Sequence, residues 1–164
     1  MSPRLSWSVT AVLAVLAVLA LVAVVLEVVV LRPRYQEVTA QQEARSDVVR
    51  TAERFTAQVN NYSVKSVDSY ASSITPMLSP KFKGEFKKAM QDIVASVKQA
   101  KMTSRGQVVA SAVSSLDPDS AQVLVVADAS VKTVFDTRAR HFRWQISLVR
   151  LGGKWLVDNF TPVA

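Results

Sequence analysis

The chain has 164 residues, 49% of them hydrophobic, and carries 20 Lys and Arg against 13 Asp and Glu for a net charge of +7. It contains no cysteine, which excludes disulfides, thiolate catalysis and Cys-ligated zinc or iron–sulfur centres. The apolar residues are concentrated: from Val9 to Leu31, 21 of 23 positions are Ala, Val or Leu, the exceptions being Thr10 and Glu27. No second run approaches the roughly 18 residues a helical span needs, which excludes a multi-pass channel or transporter within this sequence.

The uncharged run from Trp7 to Leu26 is 20 residues long. As a helix it covers about 30 Å, the thickness of a bilayer's hydrocarbon core. Residues 1–8 are therefore expected to form an N-terminal tail and 9–31 a transmembrane anchor. A cleaved signal peptide predicts an apolar region of about 7 to 15 residues and a small-x-small site. This run is longer and exits through Val28-Val29-Val30-Leu31-Arg32-Pro33-Arg34, so an uncleaved anchor is expected. The Ala-Val-Leu repeat from Ala11 to Ala20 spirals its alanines around the helix and makes no small-xxx-small dimer face. Glu27 falls at the membrane interface on this register, where a carboxylate needs no partner. Arg4 on one side and Arg32 and Arg34 on the other leave orientation undecided by charge.

Pro33 is expected to interrupt the helix, and residues 32–44 to form a helical stalk before an α+β domain at 45–164. Val48, Ala52, Phe55, Val59 and Tyr62 recur at 4-3-4-3 spacing, the stripe of a helix packed on one side. Asn60-Asn61 ends it, and a short helix is expected from Val67 to Ile74. Ser79-Pro80 is an N-cap followed by proline at the first helical position, and Phe82, Phe86, Ala89, Ile93 and Val97 carry a second long helix to near Lys101. After Gly106 the period falls to 2. Strands are predicted at Val108–Leu116, Ala121–Thr133, Arg140–Leu151 and Lys154–Val163, with Gly152-Gly153 as a two-residue hairpin turn. Phe142, Trp144, Ile146 and Leu148 share the inward face of the third strand. Helices first and an antiparallel sheet second define an α+β domain.

The residues that carry chemistry are few. His141, the sole histidine, shares a strand face with Arg143, Gln145 and Ser147, the side opposite the aromatic row, so it is expected on the surface. Asp68, Asp128 and Asp158 are the carboxylates able to reach a concave sheet as a general base, but the sequence shows no partner for them, and surface or capping roles are favoured. Four glycines at 84, 106, 152 and 153 exclude phosphate-binding loops, and no clustered ligand pattern marks a metal. No catalytic, cofactor or metal residues are therefore assigned. Basic charge suits nucleic acid or an anionic membrane, and the tether makes the membrane the nearer partner. Lys81, Lys83, Lys87 and Lys88 are the candidate anionic-lipid contacts, against the alternative of a solvated helix face. Asn61-Tyr62-Ser63 and Asn159-Phe160-Thr161 match the N-glycosylation pattern.

The N-terminal anchor, the polar helix, the Ser79-Pro80-Lys81-Phe82 helix start and the ending Leu148-Val149-Arg150-Leu151-Gly152-Gly153-Lys154-Trp155-Leu156-Val157 together resemble the Mce-associated membrane proteins of actinobacteria. The most specific part is the Leu148-x-Arg150-x-Gly152-Gly153-x-Trp155-Leu156-Val157 ending, with Gly152, Gly153 and Trp155 as its structural signature. The resemblance implies a nuclear transport factor 2-like cone, a curved antiparallel sheet of about four strands packed on the N-terminal helices. It also implies a non-catalytic accessory subunit that assembles or stabilises an Mce-type lipid or sterol importer. Its partners would be Mce-family proteins and the permease complex, without nucleic acid or cofactor, and the domain would lie outside the cytoplasmic membrane. The same cone serves small-pocket enzymes, lipid carriers and scaffold subunits of type IV secretion channels, which are the alternatives.

Overall fold

A computed structural model describes residues 4–163, with side-chain surroundings for 11–29 and 39–163; the expectations for residues 1–3 and for the side chains of 4–10 and 30–38 lie outside these. The chain divides into two compact units, residues 1–43 and 44–164. In the first, helix α1 spans Arg4–Leu26, so most of the expected tail is helical. Its segment Ala11–Val29 is the one helix, among the described residues, long and apolar enough to cross a membrane. The break expected at Pro33 does not occur. A π-helical turn at Glu27–Leu31 leads directly into helix α2, Arg32–Asn60. Proline lacks the N–H that a regular turn requires, and a widened turn immediately before it lets the helix continue.

The second unit places the helices first and the sheet after. The C-terminal part of α2 buries Val48, Ala52 and Phe55, the stripe that its spacing predicts. Helix α3 spans Val67–Ile74 and helix α4 spans Pro80–Gln99. Ser79 caps α4, its hydroxyl oxygen accepting from the Phe82 N–H at 3.1 Å. The helix closes near its expected end, where Lys101 takes a left-handed conformation, φ 47°. The Met102 N–H then reaches the Val97 carbonyl at 2.9 Å and the Lys101 N–H reaches Lys98, the two bonds of a Schellman closure with lysine where glycine is usual.

The sheet is a five-stranded antiparallel meander in the order β1-β2-β3-β4-β5, one strand more than expected: β1 is Tyr62–Ser63, β2 Thr103–Leu116, β3 Ser120–Lys132, β4 Thr137–Leu151 and β5 Lys154–Pro162. The additional strand is two residues long and exists through its pairing with Thr103 and Ser104, so no periodicity announces it. Strand β2 starts five residues earlier than its alternation indicates, and runs through Gly106. Register shifts at Val108/Ala110 and Val113/Ser115 add residues to β2 opposite β3, and such bulges curve a sheet. The concave face packs on the helices: Val123 and Val125 of β3, Ile146 and Leu148 of β4 and Val157 of β5 meet Val48, Phe55, Ile74 and Leu78 in one core. A parallel bridge from Leu78 to Val157 and the bond from the Ser79 N–H to the Val157 carbonyl, 2.8 Å, hold the start of α4 against β5.

Candidate functional site

The core does not fill the concave face from end to end. Along β3 the inward residues Ala121, Val123, Val125, Ala127 and Ala129 are all buried. An apolar cleft of about 680 Å³ lies between α4, which lends it Phe86, Met90 and the partly exposed Ile93, and the Phe142, Trp144 and Phe160 side chains of β4 and β5. Phe142 stacks on Trp144 with ring centroids 5.4 Å apart, and Trp144 meets Phe160 at 4.7 Å, forming an aromatic floor. Tyr70 closes one side. Its hydroxyl donates to the Val59 carbonyl at 2.5 Å, and burial, with Tyr62 nearby, pushes that phenol well above its ordinary range. The charged side chains lining the cleft are Glu85 and Asp92, both on α4.

Two polar groups in this wall have no hydrogen-bond partner: the amide nitrogen Nδ2 of Asn60, a residue 5% exposed, and the indole Nε1 of Trp144. A buried N–H without a partner costs about 1–3 kcal/mol, so both are notable where they stand. Asn60 is held by its surroundings, for its carbonyl accepts from Ser104 Oγ at 2.7 Å and its Cβ lies against Gly106. The sequence marks Asn60 only as a helix end and Trp144 only as an inward residue; neither signal reveals a missing partner.

The residues singled out from the sequence fall elsewhere. Asp158 accepts from Ser79 Oγ at 2.6 Å and pairs with Lys81 at 3.3 Å, so it locks the cap of α4 to β5. The Ser79 hydroxyl foremost, and Lys81 after it, hold its carboxyl below the ordinary carboxylate range against the opposing effect of desolvation. Asp68 pairs with Lys98 at 2.6 Å on the surface. His141 and Asp128, opposite each other in the β3–β4 register, form a 2.7 Å contact on the outer face of the sheet, which supplies Asp128 with the partner that spacing alone does not show. Glu27 opens the π-helical turn. Asn61 donates its amide to the Ala57 and Gly106 carbonyls and accepts from the Gly106 N–H, so that sequon asparagine is occupied in tying α2 to β2.

Lys81, Lys83, Lys87 and Lys88 are all exposed, but helical geometry puts Lys81 and Lys88 on one flank of α4 and Lys83 and Lys87 on another, about 130° away. They do not form a single patch. Gly152 and Gly153, at φ 55° and 78°, make the hairpin turn between β4 and β5. Trp155 is half-buried rather than enclosed: one side packs on the edge of the core, and the Arg150 guanidinium lies 5.9 Å from its ring. With Arg50 and Arg54 of α2 it borders a shallow groove of about 350 Å³.

An apolar helix precedes, in the chain, a curved antiparallel sheet packed on helices with a cleft in its concave face, the arrangement of the nuclear transport factor 2-like fold. The chain belongs to the family whose model is described as "Uncharacterized protein Rv1363c/MT1408-like", matched over residues 7–159. It is 32% identical over 118 residues to the uncharacterized protein Rv1362c of Mycobacterium tuberculosis, covering 70% of this chain and 54% of that one, so the chain spans about half the length of the curated relatives it matches. Among solved structures, the periplasmic domain of DotI superposes with a TM-score of 0.64 at 12% identity, covering 72% of this chain and 94% of that one. CagV of Helicobacter pylori, a VirB8 homologue, gives 0.55 at 8% identity over 72% and 97%. An NTF2-like protein of Novosphingobium aromaticivorans with a cystatin-like fold gives 0.57 at 8% identity over 80% and 88%. At these identities the likeness is one of fold.

Proposed function

We propose that the chain is a non-catalytic, membrane-anchored accessory subunit that assembles or stabilises an Mce-type lipid or sterol import complex, with its cone outside the cytoplasmic membrane. The observation that carries this reading is the pairing of one apolar helix with a domain of the fold seen in DotI and CagV, described respectively as a periplasmic domain and as a VirB8 homologue of a type IV secretion system. The ending around Gly152, Gly153 and Trp155 adds the Mce-associated resemblance, and the groove beside Trp155 gives that signature a surface on which to meet Mce-family proteins or the permease. The groups singled out from the sequence as candidate acids and bases have other tasks: Asp158 anchors a helix cap, and His141 with Asp128 faces away from the cleft. The exposed lysines of α4 contact anionic headgroups on this reading, each adding about 1 kcal/mol near the surface.

A scaffold subunit of a type IV secretion-like channel is the second reading, favoured by the same fold likeness. Affinity purification of the full chain from native membranes after mild cross-linking separates the two. Co-elution of Mce-family proteins and their permease supports the importer, whereas co-elution of secretion-channel subunits without them overturns it in favour of the scaffold.

A further inference from the structure

We propose that the cleft between α4 and the aromatic floor of β4 and β5 binds an uncharged, elongated apolar molecule carrying an oxygen acceptor, of the sterol or acylglycerol class, whose oxygen accepts from the N–H groups of Trp144 and Asn60. Three observations set that chemistry. The first is volume and lining. At about 680 Å³ the cleft lies inside the roughly 300–1,000 Å³ span of small-molecule sites, and Phe86, Met90, Ile93, Phe142 and Phe160 offer it an almost wholly apolar wall. Met90 and Met102 add side chains that adjust to an irregular body.

The second is the pair of orphaned donors. Both are N–H groups, so the complement they lack is an acceptor, and both are shut away from bulk water. Both belong to residues that line the cleft, so a turn of either side chain brings its N–H to an acceptor carried in on an apolar body, and a ligand that brings none leaves their desolvation uncompensated. Asn60 is more than nine-tenths buried, and the Ser104 bond to its backbone carbonyl fixes the main chain from which its amide extends.

The third is the sign of the charge. The charged groups lining the cleft are Glu85 and Asp92, and the lysines of α4 are not among its lining residues. A carboxylate or phosphate would enter beside two acids with no cation to receive it, whereas a hydroxyl, ketone or ester oxygen carries no such penalty. The inference does not rest on the importer reading, since a neutral ligand fits a carrier or a ligand-dependent scaffold equally well.

The test uses the full chain in phosphatidylcholine nanodiscs with three diazirine probes: a cholesterol analogue, a monoacylglycerol and a long-chain fatty acid at neutral pH. Cross-linked peptides are mapped by mass spectrometry, with labelling of the apolar segment 11–29 as the internal measure of probe in the bilayer. The sterol probe, the acylglycerol probe or both should label α4 or the aromatic floor, and which of them does so identifies the source of the ligand. The fatty acid should label the cleft at least about tenfold less, relative to the anchor. Trp144→Phe keeps the ring stack and removes the donor, and should lower cleft labelling about fivefold. Ile93, 40% exposed at the cleft, can be enlarged outward, and Ile93→Trp should abolish cleft labelling with the unfolding midpoint unchanged. Labelling of the anchor alone by every probe overturns the proposal, as does fatty-acid labelling equal to that of the neutral probes or an unaltered signal in Trp144→Phe. Any of these failures leaves the co-purification test of the importer unaffected.

Discussion

Ser79→Ala is a small change with a large expected effect, because one hydroxyl makes two bonds in a buried place. Ser79 is 1% exposed; its oxygen accepts from the Phe82 N–H at 3.1 Å and donates its proton to Asp158 at 2.6 Å. Loss of the cap costs about 1 kcal/mol. Loss of a hydrogen bond to a charged acceptor costs about 1.5–3 kcal/mol, and the lower end applies because the Asp158 side chain is 20% exposed and water replaces part of the bond. The sum is about 2–3 kcal/mol at neutral pH, or a fall in Tm of about 8–12 °C for a domain of this size. The effect depends on pH with a definite sign. Asp158 titrates lower in the folded chain than in the unfolded one, chiefly through Ser79, so its contribution is complete above the ordinary carboxylate pKa of about 4 and disappears as pH falls through the lowered folded value. Urea unfolding of the full chain in micelles, followed by tryptophan fluorescence, should therefore show a deficit at pH 7 that shrinks toward the cap contribution alone, about 1 kcal/mol, near pH 3. Asp158→Asn should couple to Ser79→Ala by about 1 kcal/mol in a double-mutant cycle. Equal deficits at the two pH values together with additive single variants would refute this account of the α4 cap.

Gly106→Ala should destabilise the chain by about 1–3 kcal/mol in the same unfolding assay, since a Cβ there would stand 2.6 Å from Asn60 Cβ and 3.3 Å from Ala129 Cβ, neither of which is a flexible chain end. Trp155→Ala should cost about 1–2 kcal/mol, below the roughly 3–5 of an enclosed tryptophan, because only one side of the ring is covered; a loss at the larger value would show that it carries more of the core than its contacts indicate. Cysteine at Asp119, in the exposed β2–β3 turn of a chain otherwise without cysteine, should react with an impermeant thiol reagent in intact cells, and reaction only after lysis would place the domain in the cytoplasm. Alanine at His141, Asp128 or Asp68 should leave complementation of a deletion strain intact; loss of function in a folded variant at normal abundance would point to catalysis.

Much of the fold is legible where a residue's local chemistry and its tertiary role agree. Ser79-Pro80 is a helix start on local grounds, and the structure uses it as one. Gly152-Gly153 supplies two positive φ angles that a tight hairpin turn requires, and the strands meet there. The alternation of β4 assigns Phe142, Trp144, Ile146 and Leu148 to the concave side correctly. Legibility fails where the determining partner is distant in sequence. The pairing that makes Tyr62–Ser63 a strand comes from Thr103 and Ser104, and Gly106 interrupts the alternation of β2 because the end of α2 lies against it. Lys101 closes α4 in a conformation that its residue type disfavours, so the form of the closure is not announced even though its place is. Asp128 finds His141 thirteen positions away through the register of a hairpin, not through spacing along one element.

The cleft is the feature least accessible to pattern reasoning, and the reason is that parity assigns a face while volume decides whether the face is filled. Ala127 and Ala129 count as inward apolar residues in the same alternation as Val123 and Val125, and all four are buried. Yet Val123 and Val125 join Ile146, Leu148 and Phe55 in one core, whereas Phe142, Trp144 and Phe160 of β4 and β5 border a cleft that the side chains of α4 do not fill. A well-packed interior loses dispersion contacts along every surface of such a void, and here the fold also leaves two N–H groups without acceptors. Larger side chains on the cleft-lining face of α4 would close the space, and an acceptor side chain would satisfy Trp144. The absence of both compensations at one location, beside a rim whose charges are acidic, gives the cleft the character of a site shaped for a neutral guest.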